Sequence, residues 1–79
     1  MQPEQIRDYL RAAPFRPFRV FLSDGSFHDI PHPELAWLTT RYLFIGKDAN
    51  AAGLPRRDVT CDTMHITKIE RTPENGGPG

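Results

Sequence analysis

Between Phe15 and Pro31 the chain runs Phe-Arg-Pro-Phe-Arg-Val-Phe-Leu, then Ser-Asp-Gly-Ser, then Phe-His-Asp-Ile-Pro. Two runs of aromatic and β-branched residues flank Asp24-Gly25, a pair that makes tight hairpin turns because Gly accepts positive φ. This hairpin constrains the fold more than any other stretch. A two-residue turn predicts Ser23 opposite Ser26, Leu22 opposite Phe27, Phe21 opposite His28 and Val20 opposite Asp29. Phe18, Val20, Leu22 and Phe27 then form the core face. Arg19, Phe21, His28 and Ile30 share a mixed outer face. Pro17 and Pro31 bracket the hairpin, as expected of strand ends or an edge.

The remaining elements arrange themselves around it. Residues 3–13 read as one amphipathic helix, with Ile6, Tyr9, Leu10 and Ala13 on a single face. Pro3 and Glu4 suit its start, Arg11 suits its end, and Pro14 stops it. A helix this short is marginal alone in water, so it is expected to pack on the sheet. After the Pro31-His32-Pro33 corner, residues 35–40 and 42–45 read as two more strands joined around Thr40-Arg41. Residues 46–57 read as a polar, flexible loop with Gly53 and Pro55 as breakers. Between Val59 and Arg71 the alternation slips, which predicts a turn or bulge near Asp62-Thr63. Residues 72–79 hold no apolar side chain beyond proline, and a disordered tail is expected. The expected fold is mainly β: a helix, then about five antiparallel strands in a small barrel or strongly bent sheet, with one domain over residues 1–71 and strands in 15–45 and 58–71.

Composition removes several function classes. Chains of 79 residues bury only about 60% of their unfolded surface, so one small core and a single domain are expected. Ten Lys/Arg balance ten Asp/Glu, which excludes a large polyanion-binding field. No stretch approaches the ~18 apolar residues of a membrane span, and no signal peptide is legible at the N-terminus. Cys61 is the single cysteine and cannot staple the chain to itself, so a reducing cytoplasm is the expected compartment.

Two resemblances bear on the fold. The pattern Pro14-Phe-Arg-Pro-Phe-Arg-Val-x-Leu-Ser-Asp-Gly, followed by His32-Pro-Glu34 and His65-Ile-Thr-Lys-Ile-Glu70, resembles a group of short bacterial proteins abundant in planctomycetes. That group has no assigned activity, so the resemblance implies none. The helix followed by Arg19-Val-Phe-Leu-Ser-Asp-Gly-Ser-Phe-His is similar to the opening of Sm-like barrels, which implies a small Sm-like or Src-homology-3-like barrel. The Asp and Asn residues with which Sm-like proteins hold RNA bases have no counterpart in residues 36–46, so the resemblance implies no RNA site.

His28 with His32, and Cys61 with His65, have the spacing of metal ligands on a helix. Prolines exclude a helix at the first pair, and on a strand residues four apart lie about 13 Å from each other. No metal site and no cofactor are therefore expected. Cys61 shares parity with Val59 and is expected to pack inward rather than act as a nucleophile. Asp29, Glu34 and Asp48, with His28 and His32, show no spacing that demands acid–base catalysis. Arg7, Arg11, Arg16 and Arg19, aided by Arg56 and Arg57 on the loop, form a basic set interleaved with Phe15 and Phe18, a composition used to hold single-stranded nucleic acid. Phe21, Trp37, Tyr42 and Phe44 are mostly core by the simplest account. So small a barrel cannot bury all the aromatics, however, and Phe21 lies opposite the core face. Leftover aromatic surface beside strand edges marks a self-association or partner-binding patch. The reading that results is a non-catalytic module that binds itself or a protein partner through a sheet edge and the hairpin face. Arg19, Phe21, His28, Ile30 and His32 are its expected contact residues. Nucleic-acid binding through the arginines is the alternative.

Overall fold

The structure, a computed structural model, describes residues 1–72. Helix α1 (Pro3–Arg11) precedes β1 (Phe18–Leu22) and β2 (Phe27–Ile30). A 3-10 turn (Pro33–Leu35) leads into β3 (Ala36–Leu38), β4 (Tyr42–Lys47) and β5 (Arg57–Asp62). A second 3-10 turn (Thr63–His65) separates β5 from β6 (Ile66–Arg71). The six strands form two antiparallel three-stranded sheets, ordered β2-β1-β6 and β3-β4-β5. Among the described residues no ladder joins the two sheets. The slip in alternation after Val59 is the second 3-10 turn, where the Asp62 carboxylate accepts a hydrogen bond from the Met64 N–H at 2.9 Å. The expected tail falls outside the described residues except for Thr72, whose N–H donates to the Pro17 carbonyl. Among the described residues no helix is long and apolar enough to cross a membrane.

The helix ends at Arg11, two residues earlier than its periodicity predicts, because Ala12 is already extended at ψ 139°. Ala13, which precedes Pro14, is itself kept from helical ψ, so the helix has no residue to continue into before the chain turns toward β1. Ala13 is consequently exposed, while Ile6 is fully buried and Tyr9 and Leu10 pack beside it. The Gln5 side-chain oxygen accepts from the Gln2 N–H at 3.2 Å, which satisfies one donor of the first turn. The Met1 ammonium group donates to the Thr63 and Ile66 carbonyls, fixing the start of the helix to the turn between β5 and β6.

One core lies between the sheets and under the helix. The first sheet contributes Phe18, Val20, Ile30 and Ile66, the second Leu43, Ile45 and Cys61, and the helix Ile6. Tyr9 reaches Phe18 with ring centroids 5.3 Å apart, and Phe15 lies 6.0 Å from the same ring. Burying such side chains contributes roughly 1.5–3 kcal/mol each, the main source of stability in so small a domain.

The hairpin register differs from the expected one by a single residue. Phe18 pairs with Ile30, Arg19 with Asp29, Val20 with His28 and Phe21 with Phe27. The connection is a three-residue loop, Ser23-Asp24-Gly25, closed by bonds from the Leu22 N–H to the Ser26 carbonyl and from the Gly25 N–H to the Leu22 carbonyl. Only Gly25 takes positive φ, at 90°, whereas the type I′ turn that Asp-Gly favours as a two-residue loop needs it at both central positions. The Asp24 carboxylate braces the loop by accepting from the Ser26 N–H at 2.9 Å and its hydroxyl at 2.6 Å. These bonds hold its pKa below the usual carboxylate value. A one-residue change inverts a strand's faces. Ile30 is therefore core and Phe27 is outside, the reverse of the expectation.

Candidate functional surfaces

On the outer face of the first sheet, alternation brings together Arg19 and Phe21 of β1, Phe27 and Asp29 of β2, and Lys68 and Glu70 of β6. Arg19 makes a two-pronged contact with Asp29, Nε to Oδ1 at 2.7 Å and Nη2 to Oδ2 at 3.2 Å. That hydrogen bonding raises the Arg19 pKa above its ordinary value. The same guanidinium sits 4.0 Å above the Phe27 ring. Phe27 meets Phe21 with centroids 5.8 Å apart and a 49° tilt, and the Lys68 ammonium lies 4.5 Å from the Phe21 ring. Lys68 completes the strip by pairing with Glu70 at 3.2 Å. Each aromatic ring thus carries a cation, and each of these cations a carboxylate. Phe27 remains 47% exposed, which leaves a large apolar contact on an edge strand.

Of the five expected contact residues, Arg19 and Phe21 stand on this face. Ile30 does not, because the register places it in the core with no exposure. His28 also points inward, beside Val20, half-buried. Burial lowers its pKa most, and Lys47 and Arg57 lower it further against the opposing pull of Asp24 and Asp29. His32 is exposed on the corner, at the start of the 3-10 turn. Phe27 and Asp29 were missed. The signal for them was present, since the two-residue register sets the Asp29 carboxylate inward against Val20, where burying a charge is costly.

The arginines are dispersed. Arg7 and Arg11 are exposed on the helix, and Arg16 is exposed on the link to β1. Arg19 is committed to Asp29, and Arg57, at the start of β5, to Asp48. Arg56 lies on the connection between β4 and β5, where its N–H donates to the Lys47 carbonyl.

The second sheet also has an outer face. Trp37 of β3 pairs with Phe44 of β4, Phe44 with Thr60 of β5, and Gly46 with Asp58. Trp37 is 70% exposed, against the expectation that it belongs mainly to the core. Along β3 and β4 the aliphatic residues Ala36, Leu38, Leu43 and Ile45 turn inward, and Trp37, Tyr42 and Phe44 turn outward. Tyr42 and Phe44 continue the strip at 6.2 Å between centroids, with Arg41 held 5.5 Å from the Tyr42 ring and paired to Asp62.

Residues 48–56 fold back onto this face. Asp48 turns the chain with φ 56°, a conformation Asp tolerates better than most residues. The Asn50 side-chain oxygen accepts from the N–H groups of Ala52 and Leu54, both at 2.9 Å. Pro55 then rests on Gly46 so closely that a Cβ there would come within 2.8 Å of the proline ring. The result is a cleft of about 210 Å³ whose lining includes Glu34, Trp37, Phe44, Gly46, Pro55 and Asp58. A larger cleft of about 360 Å³ opens at the end of the first sheet, beside Arg19, Asp29, Glu70 and Arg71.

Cys61 is buried, and burial raises its thiol pKa above 9.0. His65 accompanies Ser23 rather than Cys61, with Nδ1 3.3 Å from the hydroxyl. Among the described residues no three His, Cys, Asp or Glu side chains group closely enough to hold a metal ion. No family model, curated protein or solved structure matches this chain.

Proposed function

We propose that this chain is a small non-catalytic interaction module that binds a protein partner, or a second copy of itself, along the open edge of β2 and the adjoining outer face of the first sheet. The observation that carries the reading is Phe27, a large apolar side chain left half in water on an edge strand. Edge strands present unpaired backbone groups that a partner strand can join, and exposed aromatics beside them serve as anchors. Phe27 and Phe21 are the anchors. Arg19, oriented by Asp29, supplies a fixed polar rim. The burial of Cys61 supports a role without chemistry, because a raised thiol pKa leaves little thiolate. The order of helix, strand ending in Asp-Gly and last strand returning to the first supports kinship with Sm-like folds, and the full motif set supports kinship with the planctomycete-type group.

Native mass spectrometry and sedimentation of the wild type, Phe21→Ala and Phe27→Ala test the reading. Both variants are expected to lose an association that the wild type shows, with helix and sheet content retained. Association unchanged in both variants overturns it. A second reading, single-strand nucleic-acid binding through Arg7, Arg11, Arg16, Arg19, Arg56 and Arg57, draws support from the exposure of Arg7 and Arg11 on the helix. Salt separates the two, since phosphate contacts weaken steeply as salt rises and an apolar anchor does not.

A further inference from the structure

We propose that the cleft between Trp37 and Pro55 on the second sheet receives a Lys or Arg side chain carried on a basic segment of a partner protein. The site is separate from the hairpin face and does not rest on it.

Charge complementarity is the first argument. Four carboxylates have a cation of their own: Asp29 with Arg19, Asp48 with Arg57, Asp62 with Arg41 and Glu70 with Lys68. Glu34 and Asp58, like Glu4, Asp8 and Asp24, have no such partner among the described residues, and these two are the ones that line the cleft. Both stand beside Trp37, the single tryptophan of the chain. Indole is the ring that attracts cations most strongly, and an aromatic wall with carboxylates at hand is the chemistry that recognises ammonium and guanidinium groups. An acidic peptide or a phosphate backbone would meet the same two carboxylates as repulsion.

Size and construction agree. About 210 Å³ is less than the several hundred Å³ typical of small-molecule pockets, and it suits a single long side chain. One wall exists only because position 46 lacks a side chain, so that Pro55 can lie on it, and because Asn50 ties the preceding loop to itself. The neighbouring pair of Phe44 and Tyr42 extends the apolar surface along β4 for the residues that flank the cation. β3 is one of the two edge strands of its sheet, so the cleft lies at the border of the outer face rather than at its centre.

Trp37 provides its own readout. The full chain is titrated with a blocked hexapeptide of alternating Arg and Pro, and with the same peptide carrying Glu for Arg, while tryptophan emission is followed. The Arg peptide is expected to change the emission saturably, the Glu peptide not at all. The double variant Glu34→Gln/Asp58→Asn is expected to weaken binding about tenfold with its thermal melt unchanged. Phe27→Ala is expected to bind as the wild type does. An absent response, an equal response to the Glu peptide, or full affinity in the double variant overturns the proposal. So does emission that depends on protein concentration alone, which would place a second copy in the cleft. Loss of binding in Phe27→Ala with none in the double variant moves the peptide to the hairpin face, and a failure confined to the cleft leaves that face untouched.

Discussion

The two outer faces are built from the same kinds of residue and finish in opposite states. On the first sheet Arg19 covers Phe27 and Lys68 covers Phe21, and each cation is paired with a carboxylate across the sheet or along its strand. On the second sheet Trp37 stands 70% exposed, and Glu34 and Asp58 have no cation paired to them among the described residues. The first face has settled its charges internally and offers shape, backbone groups and a half-exposed ring. The second offers unsatisfied charge. Counting aromatics and charges does not tell such faces apart. Register does, because it decides which side chains stand opposite one another.

The sharpest way to break this comparison is to exchange inside and outside on β2. Ile30→Ala is expected to cost roughly 2–5 kcal/mol in urea unfolding, as a fully buried aliphatic truncation does. Phe27→Ala is expected to cost about 1 kcal/mol, the scale of an exposed aromatic pair. The reverse order would restore the two-residue turn and return Phe27 to the core.

Gly46→Ala tests whether the second face is truly built around Pro55. The added Cβ meets the proline ring at 2.8 Å, and the expected loss is about 1–3 kcal/mol, the usual range for overpacking. Its binding of the Arg peptide should fall as well. Unchanged stability and unchanged Trp37 emission would show that the loop does not press on the sheet.

The smallest expected effect is a pH dependence that belongs to the inner side of the hairpin. Burial holds the folded His28 pKa below 6.5, so the unfolded chain takes up the proton first as pH falls. Stability from this source is complete above 6.5 and declines below it until folded His28 is itself protonated. Asp24 and Asp62 act lower, since both are held below 3.8 and contribute stability that is lost as pH falls through their folded values. Melting temperatures of the wild type and His28→Gln between pH 7.5 and 5 check the assignment. The variant should be flat where the wild type declines.

Much of the chain is legible because local chemistry and the final structure agree. Pro3 and Pro14 bracket the helix, Asp24-Gly25 places the hairpin, and the parity slip after Val59 marks the turn at Thr63–His65. The inward turn of Cys61 follows from its parity with Val59, and both join the core. The candidate surfaces are less legible. Asp-Gly suits both a two-residue and a three-residue loop, and the difference exchanges Ile30 for Phe27. Trp37 reads as core by its size, yet its aliphatic neighbours Ala36 and Leu38 take the inner positions.

By itself the sequence determined a short helix leading into an antiparallel, hairpin-centred β domain, because turn residues and alternation act over a few positions and need no distant partner. Tertiary structure decided that the strands divide into two sheets and that Glu34, Trp37, Pro55 and Asp58 share one cleft, and it settled the side of β2 that Asp29 only hinted at in the sequence. Those outcomes depend on contacts between residues far apart in the chain. There, the cost of burying Asp29 and the fit of Pro55 onto Gly46 outweigh any local preference.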